Sequence, residues 1–448
     1  MDDTDAIESA ISAAATAGGG IVFLPRGTYK ITRTLLIPAD VTLQGVSNFR
    51  YGQGSILHYD PETAGAAVRI DPANNGIEAR SAPRNLHIYT PSLSMATVGV
   101  DCGGCYSLDF EFVTVNGFFT GFLATESFYT TWRRCAVQGR HGGTGITSEG
   151  NFNQNVVNNC TFIGPATLTN GTLQRWTPIS IQKNALSTAA STGSVIRDSD
   201  FAGGAASGTG ADARYCIDLG PNCTGFHVSG NRLEANGIGF LRQADASFGL
   251  TIVGNELAGS DGNPISRGIE ISGGGVEIGL NTWWNTTEAV RLTGTARRVR
   301  VSHQETPYRT SGAPLIVTDS QEDIELPDER WRFIASNLST STVTVKQGDN
   351  VRPISLTHYN LKTVGGDSGS FSIYRGLEVG VGYRFAATAG ANCTVTPTST
   401  AGEFAVVVGG DSLTYYLAFS VTGTELTLRA SASASGNTEL RAHVIPLT

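Results

Sequence analysis

The N-terminal part of the chain changes from a helical to a strand-like spacing of apolar side chains. Ile7 and Ile11 recur at helical spacing within residues 4–17, and the three glycines at 18–20 end this pattern. Thr4 is suited to the N-cap of the helix. From residue 21 onward, short apolar runs separated by glycine and proline are typical of strands. The pattern predicts one short amphipathic helix that covers the end of a long β structure.

A strand pattern with a regular repeat occupies the middle of the chain. Residues 228–233 and 252–257 match at a spacing of 24 residues, and looser copies lie upstream. A small or polar residue holds the same place in each copy, which indicates like side chains stacked inside parallel coils. The predicted ladder consists of Cys135, Cys160, Ser199, Asn231, Asn255 and Gly279.

Each repeat also contains a second short strand. Two apolar residues flank one middle residue in each, and the alternation places that middle residue on the outer surface. These strands lie at residues 179–181, 217–219, 238–240, 269–271 and 290–292. Two strands per repeat, with loops of variable length between them, predict an all-β fold: a single-stranded parallel β-helix.

The pattern changes after about residue 305. An acidic stretch at residues 321–329 precedes alternating polar and apolar residues with Gly-Asp and Gly-Asn turns, which is typical of a β-sandwich. The predicted domains are the capping helix and first turns at 1–30, the β-helix at 31–310, a linker at 311–330, and a C-terminal β-sandwich for trimerisation or carbohydrate binding at 331–448.

The composition fits an ordered β protein and excludes several other classes. Of 448 residues, 55 are glycine; charged residues make up only 16% and apolar residues 40%. A disordered chain or a coiled coil would have far more charge. A net charge of −8 without a basic stripe argues against a nucleic-acid partner. No apolar run approaches the roughly 20 residues that cross a membrane, so membrane insertion is not expected.

The N-terminus and the cysteines indicate where the protein is made and what it binds. Residues 1–5 have neither the basic start nor the apolar stretch of a signal peptide, so we expect synthesis in a cytoplasm. Seven cysteines in so long a chain do not form a disulfide framework. Cys102 and Cys105 lack the second pair that a zinc site needs. We therefore predict no metal and no cofactor.

Several segments resemble the pectate-lyase-like right-handed β-helix superfamily. The N-terminal matches are Asp2–Ile7, Gly18–Tyr29 with its Leu-Pro-Arg-Gly-Thr-Tyr turn, and Val41–Gly45; Gly230–Phe240 is similar to a typical coil. The resemblance covers about residues 2–310. It implies a right-handed β-helix capped by the N-terminal helix. It does not specify the activity, since the superfamily includes lyases, hydrolases, epimerases and binding proteins.

Within that superfamily, the arrangement is similar to bacteriophage tailspikes, which join a β-helix to a C-terminal β domain. The resemblance implies a homotrimer on a virion tail, made in the host cytoplasm without a signal peptide. It also implies a bacterial surface polysaccharide (capsule, O-antigen or exopolysaccharide) as substrate. The calcium-binding aspartates and arginine motif of true pectate lyases have no counterpart here, which argues against pectin lysis.

One outward column on the second strands carries the first catalytic hypothesis. It contains Ser180, Asp218, Gly239, Glu270 and Arg291. Asp218 and Glu270 would lie two coils apart, about 9.6 Å between backbones, with the glycine leaving open space between them. Inverting glycosidases place two carboxyl groups ~6.5–9.5 Å apart, one as acid and one as base for water. Arg291 would orient the substrate.

A second column, just after the ladder, offers competing acids. It contains Thr161, Asp200, Arg232 and Glu256, with Glu234 nearby. The acids flank an arginine and also suit a surface ion network. Aromatic rings that pack on sugar faces are the other candidates for substrate binding. They are Trp283, Trp284, Trp176 and Tyr215; at least one of the adjacent tryptophans should face outward.

Three functions remain open from the sequence. The first is a depolymerase that hydrolyses a polysaccharide with its carboxylate pair. The second is a lyase that eliminates at a uronic acid with Arg, Tyr or His as base. The third is a β-helix that binds glycan without cleaving it.

Overall fold

The computed structural model describes most of the N-terminal two thirds of the chain with side chains. The residues left out of residues 1–302 are 1, 47–53, 72–81, 93–95, 141, 166–175, 183–189, 203–214, 236–238, 260–264 and 294. Beyond residue 302 the description is limited to strands and a bend at residue 399.

The predicted N-terminal helix is confirmed. Helix α1 comprises Thr4–Thr16, and Ile7 and Ile11 are buried against the first strands. The N-cap residue is Asp3 rather than Thr4. The amide of Thr4 donates instead to Asp2 Oδ1 at 3.0 Å, so a carboxylate upstream of the cap binds the first turn. The helix covers the first coil, as the apolar pattern predicts.

Short strands follow helix α1, and the described residues contain no second helix. In chain order they are β1 (Gly20–Phe23), β2 (Gly27–Ile31), β3 (Leu35–Ile37), β4 (Val41–Gln44), β5 (Ser55–Tyr59), β6 (Gly65–Ile70), β7 (Arg84–Tyr89), β8 (Ala96–Asp101), β9 (Asp109–Asn116), β10 (Thr120–Leu123), β11 (Ser127–Phe128), β12 (Thr131–Arg133), β13 (Ala136–Gln138), β14 (Gly143–Ser148), β15 (Phe152–Asn153), β16 (Val156–Asn158), β17 (Thr161–Ile163), β18 (Trp176–Ile181), β19 (Ser191–Thr192), β20 (Val195–Arg197), β21 (Asp200–Ala202), β22 (Tyr215–Leu219), β23 (Cys223–Thr224), β24 (His227–Ser229), β25 (Arg232–Ala235), β26 (Gly239–Gln243), β27 (Thr251–Val253), β28 (Glu256–Gly259), β29 (Ile265–Ile271), β30 (Gly274–Ile278), β31 (Thr282–Trp284), β32 (Thr286–Leu292) and β33 (Arg297–Val301).

The last strands are described by their backbone. They are β34 (Leu315–Thr318), β35 (Ile324–Glu325), β36 (Arg332–Ile334), β37 (Val345–Lys346), β38 (Ile354–Tyr359), β39 (Ser370–Arg375), β40 (Tyr383–Ala389), β41 (Cys393–Pro397), β42 (Glu403–Val408), β43 (Thr414–Thr422), β44 (Glu425–Ser431) and β45 (Thr438–Pro446).

Two long parallel sheets run the length of the β-helix. The 12-stranded sheet has the order β3-β6-β8-β10-β14-β18-β22-β26-β29-β32-β34-β36, so each coil adds one strand to it. A 21-stranded sheet takes the strands that follow the corner in each coil, such as β24 and β25. The prediction of a right-handed parallel β-helix is confirmed, with its apolar core enclosed by the coils.

Positive-φ residues at the corners stack from coil to coil. Gly225 and Gly249 have φ of 68° and 71° and lie directly above one another, since a Cβ on Gly249 would be 3.4 Å from the amide nitrogen of Gly225. Each coil repeats such corners, and glycine adopts this conformation at the least cost. The repeated corners therefore account for part of the glycine excess.

The interior ladder is a chain of hydrogen bonds along the helix axis. The Cys160 amide donates to Ser199 Oγ, and the Ser199 amide donates to Asn231 Oδ1, both at 3.1 Å. The Asn231 amide donates to Asn255 Oδ1, and that of Asn255 donates to the next asparagine, Asn281 Oδ1, both at 3.0 Å. The ladder is confirmed through Asn255.

The prediction of Gly279 as the next member of the ladder was wrong. Ile252 pairs with Ile278, so the coil is two residues longer than the repeat suggests and brings Asn281 into place. Cys135 and Cys160 are buried free thiols, as the ladder predicts. Burial raises the pKa of the Cys135 thiol well above its ordinary value.

Parallel pairing continues past the predicted end of the β-helix at residue 310. Strands β34 and β35 lie within the predicted linker, and they pair in parallel with β32 and β33; β36 and β37 extend both sheets as far as Lys346.

The remaining C-terminal strands are antiparallel. One sheet has the order β38-β45-β40 and the other β39-β44-β43-β42-β41. Two antiparallel sheets are what the predicted β-sandwich requires; its role in trimerisation or carbohydrate binding stays a prediction. In the described part of the chain, no helix has the length and apolar content to span a membrane.

Candidate functional site

The outward column of the 12-stranded sheet contains the predicted carboxylate pair in the predicted order. Asp218 of β22 and Glu270 of β29 are two coils apart, and Ser180 and Arg291 lie one coil beyond them on either side. The residue between the two acids is Arg242 of β26, which pairs with both. The prediction of Gly239 at that position was wrong.

The sequence of β26 explains why Gly239 was predicted in place of Arg242. The sequence Ile-Gly-Phe at residues 238–240 has the expected apolar flanks, but Leu241 is the residue that pairs with Ile217 and Ile269. Gln243 therefore points into the core and is fully buried. Because a polar residue occupies this inward position, the alternation of apolar and polar residues does not indicate that Arg242 faces outward.

Asp218 and Arg242 form a two-pronged ion pair. Arg242 Nε donates to Asp218 Oδ1 at 2.9 Å and Nη2 donates to Oδ2 at 2.7 Å. This planar geometry is the strongest form of an arginine–carboxylate contact. The Asp218 hydrogen bonds raise the pKa of Arg242. Both oxygens of Asp218 are thus engaged, and the water that the hydrolase hypothesis places between the acids would meet a guanidinium.

Glu270 is bound through one oxygen only. Tyr215 Oη donates to Glu270 Oε2 at 2.9 Å, and Arg267 Nη1 donates to the same oxygen at 3.1 Å. Within the described part of the chain, Glu270 Oε1 accepts no hydrogen bond. The side chains of Asp218 and Glu270 are 16% and 15% exposed. We call Tyr215, Asp218, Arg242, Arg267 and Glu270 the Glu270 cluster.

The Glu270 cluster is electrostatically mixed and partly desolvated. Two arginines and two carboxylates share the surface. Arg291 is a third arginine, at the position of the next coil that lies beside Glu270 in the strand register. Charges held near one another at low exposure interact more strongly than charges in water. Such groupings are frequent at functional sites, although ion-pair networks also produce them.

The competing column has the predicted register but a different environment. Thr161, Asp200, Arg232 and Glu256 follow one another coil by coil on the 21-stranded sheet. The last three are exposed, and Arg232 forms an ion pair at 3.5 Å with Glu234, which is also exposed. A surface pair of this kind contributes little to stability. These acids are therefore accessible to a ligand.

The aromatic candidates divide by burial. Trp284 is 43% exposed, which confirms that one of the adjacent tryptophans faces outward, whereas Trp283 is 1% exposed and pairs with Leu257. Trp176 and Tyr215 are each 2% exposed. The rings of Trp283, Trp176 and Tyr215 are thus buried, which favours Trp284 as the sugar platform; a role of the other three in substrate binding stays a prediction.

Two residues of the cluster were missed by sequence reasoning. Arg242 would have been found by aligning Leu241 with the inward isoleucines of neighbouring coils. Arg267 lies before the Ile-Glu-Ile pattern at residues 269–271, so that pattern alone does not include it. The strand β29 begins earlier, at Ile265, and this places Arg267 beside Glu270. Among the described residues, no group of three or more His, Cys, Asp or Glu could hold a metal ion.

Comparisons with known proteins agree with this fold. The family model described as rhamnogalacturonase A/epimerase, pectate lyase-like, matches residues 1–198. No curated protein matches the sequence. The surface adhesin PfbA of Streptococcus pneumoniae is similar in structure, with a TM-score of 0.54 and 12% identity over 92% of this chain and 96% of the adhesin.

Two viral proteins are similar at lower scores. The tailspike protein of E. coli bacteriophage HK620, solved with a pentasaccharide, has a TM-score of 0.49 and 12% identity over 100% of this chain and 90% of its own. ORF18 of Geobacillus virus E2 has a TM-score of 0.47 and 14% identity over 98% and 75%. The family-model match, rather than these two structures, confirms the resemblance to the pectate-lyase-like superfamily, over residues 1–198.

Proposed function

We propose that this β-helix binds a bacterial surface polysaccharide along its outer face and hydrolyses it at the Glu270 cluster. The observation that carries the proposal is the unequal use of the two carboxylates. Asp218 is engaged through both oxygens, and Glu270 through Oε2 only. Glu270 Oε1 is therefore the carboxylate oxygen of the cluster that is available to a water molecule or a sugar hydroxyl.

The roles within the cluster follow from these contacts. Glu270 Oε1 accepts a proton from the attacking water as a general base while the water oxygen bonds to the anomeric carbon. The glycosidic C–O bond breaks, and the leaving sugar oxygen takes up a proton from solvent. Asp218 holds Arg242 in place, and Nη1 of Arg242 donates to no described residue, so it is the group that binds a substrate oxygen. This assignment changes the role of Asp218 from that of a catalytic acid to that of a support for Arg242.

Elimination is the competing chemistry and requires a base that removes a carbon-bound proton. Burial raises the pKa of Tyr215 well above its ordinary value, and the charge of Glu270 raises it further. Tyr215 therefore stays protonated at neutral pH, and its hydroxyl donates a hydrogen bond to Glu270 Oε2. This supports hydrolysis over a lyase mechanism with Tyr215 as base. Mass analysis of products distinguishes the two, because hydrolysis adds one water per bond and elimination leaves an ultraviolet-absorbing double bond.

Binding without cleavage is a second candidate function. The observation in its favour is that Trp284 is exposed on a different sheet from the cluster, beside Ala258 of the preceding coil. A flat ring next to a small side chain suits the face of a sugar. Retained polysaccharide binding without any release of reducing ends after long incubation would support this function and contradict hydrolysis.

The adjacent tryptophans provide a matched pair of variants for glycan binding. Trp284→Ala is expected to weaken polysaccharide binding roughly 3- to 10-fold, since aromatic contacts of this kind are worth about 0.5–1.5 kcal/mol. Its unfolding temperature should not change. Trp283→Ala should instead lower the free energy of unfolding by about 3–5 kcal/mol, because it empties a core site. Calorimetric titration and thermal unfolding measure the two effects; equal affinity for Trp284→Ala and the parent would rule out the platform.

The assembly that the sequence resemblance implies is also a proposal. We propose a homotrimer mounted on a virion tail, in which neighbouring subunits cover surface that a single coil stack leaves exposed, such as Ile21 and Phe23 at 63% and 53% exposure. Light scattering should then give a particle three times the mass of the chain. A monomer at micromolar concentration would contradict this.

A further inference from the structure

Tyr215 reaches Glu270 across an intervening coil. Tyr215 lies on β22 and Glu270 on β29, and β26 runs between them. The residue of β26 that pairs with Tyr215 is Gly239. A Cβ on Gly239 would be 2.5 Å from Cδ1 and Cε1 of the tyrosine ring, a distance at which something must shift. The absence of a side chain at residue 239 is therefore what allows the ring to lie across this coil.

The ring and the hydroxyl of Tyr215 contact different members of the Glu270 cluster. Its ring is buried, and the guanidinium carbon of Arg242 lies 5.5 Å from the ring centroid. Its Oη donates to Glu270 Oε2, the same oxygen that Arg267 binds. Two donors from different coils thus converge on Oε2, and neither reaches Oε1.

We propose that Tyr215, seated over Gly239, is a positioning residue that fixes Glu270 by one oxygen and presents the other to the substrate. This role rests on the proposed function of Glu270 as the base. A flexible glutamate would sample several rotamers, and holding a catalytic group in its reactive geometry is a large part of rate enhancement. Arg267 alone supplies charge but comes from the same strand three residues away; the hydroxyl of Tyr215 fixes the carboxylate to a second coil.

The kinetic test removes only the hydroxyl. Tyr215→Phe keeps the buried ring, so the fold should be retained, and we expect kcat on the polysaccharide to fall about 10-fold with KM unchanged. Tyr129→Phe is the matched control, since Tyr129 is 55% exposed and follows β11, which is not part of the 12-stranded sheet. Unchanged kcat in Tyr215→Phe, in a protein whose Glu270→Gln variant is inactive, would overturn the positioning role while leaving the base assignment intact.

A spectroscopic test does not depend on activity. In protein with isotope-labelled tyrosine, the Cζ resonance of Tyr215 is identified by its absence from Tyr215→Phe. Glu270→Gln should shift that resonance because it replaces the charged acceptor, and Glu234→Gln, an exposed acid on another sheet, should not. A resonance that does not respond to Glu270→Gln would refute the contact. If the resonance shifts but Glu270→Gln still cleaves, the proposed function fails and the structural contact stands.

Discussion

Replacing Glu270 by glutamine is expected to lower the rate of polysaccharide cleavage at least 100-fold. The side chain keeps its size and can still accept from Tyr215 and Arg267, so the positions of these residues should be retained. The amide cannot take up a proton from water, which is the step assigned to Oε1. Release of reducing ends under saturating substrate measures the effect.

The variant Glu256→Gln is the matched control for this loss. Glu256 is an exposed acid on the neighbouring sheet, at the start of the strand that precedes β29 in the chain. Its replacement changes the net charge by the same amount without altering the cluster. We expect the parent rate from it. A large loss in Glu256→Gln together with full activity in Glu270→Gln would move the active site to the column of Asp200, Arg232 and Glu256.

Replacing Asn255 by alanine is expected to produce the second large effect, a loss of about 3 kcal/mol in the free energy of unfolding. Asn255 Oδ1 accepts from the amide and the side chain of Asn231, both at 3.0 Å. Its Nδ2 donates to Val228 O and Asn281 Oδ1 at 3.2 and 2.9 Å. All three asparagines are buried, so alanine leaves polar groups on two neighbouring coils without partners.

Denaturant unfolding followed by circular dichroism measures this loss. Asn116→Ala serves as the control, because Asn116 lies on the outward side of β9 and is half-buried; its effect should be within about 0.5 kcal/mol. A change below about 1 kcal/mol for Asn255→Ala would show that the ladder is a consequence of the coil geometry and contributes little to its stability.

The sequence predicts those features of the fold that repeat at constant spacing. Asn231 and Asn255 are 24 residues apart, and this spacing identifies the ladder and through it the parallel coils. The next interval is 26 residues, so Asn281 was missed and Gly279 was chosen in its place. Coil length varies because loops tolerate insertion while the strands do not, and a variable loop cannot be read from periodicity.

The candidate site was predicted only in part, for a related reason. Asp218 and Glu270 each lie between two inward apolar residues, and that local pattern is sufficient to place them outside. Arg242 lies before a buried glutamine, so the same rule fails one coil away. The contact between Tyr215 and Glu270 joins residues 55 apart in the chain and depends on the register of three coils, which no local pattern specifies.

Hydrolysis at Glu270 is tested most directly by mass analysis of the products formed when the parent protein and Glu270→Gln are incubated with a panel of bacterial capsules and O-antigens. We predict that the parent shortens at least one polysaccharide, with one added water for each bond broken, and that Glu270→Gln binds the same polysaccharide and releases nothing. Products that carry a double bond, or equal cleavage by the two proteins, would contradict hydrolysis at the Glu270 cluster.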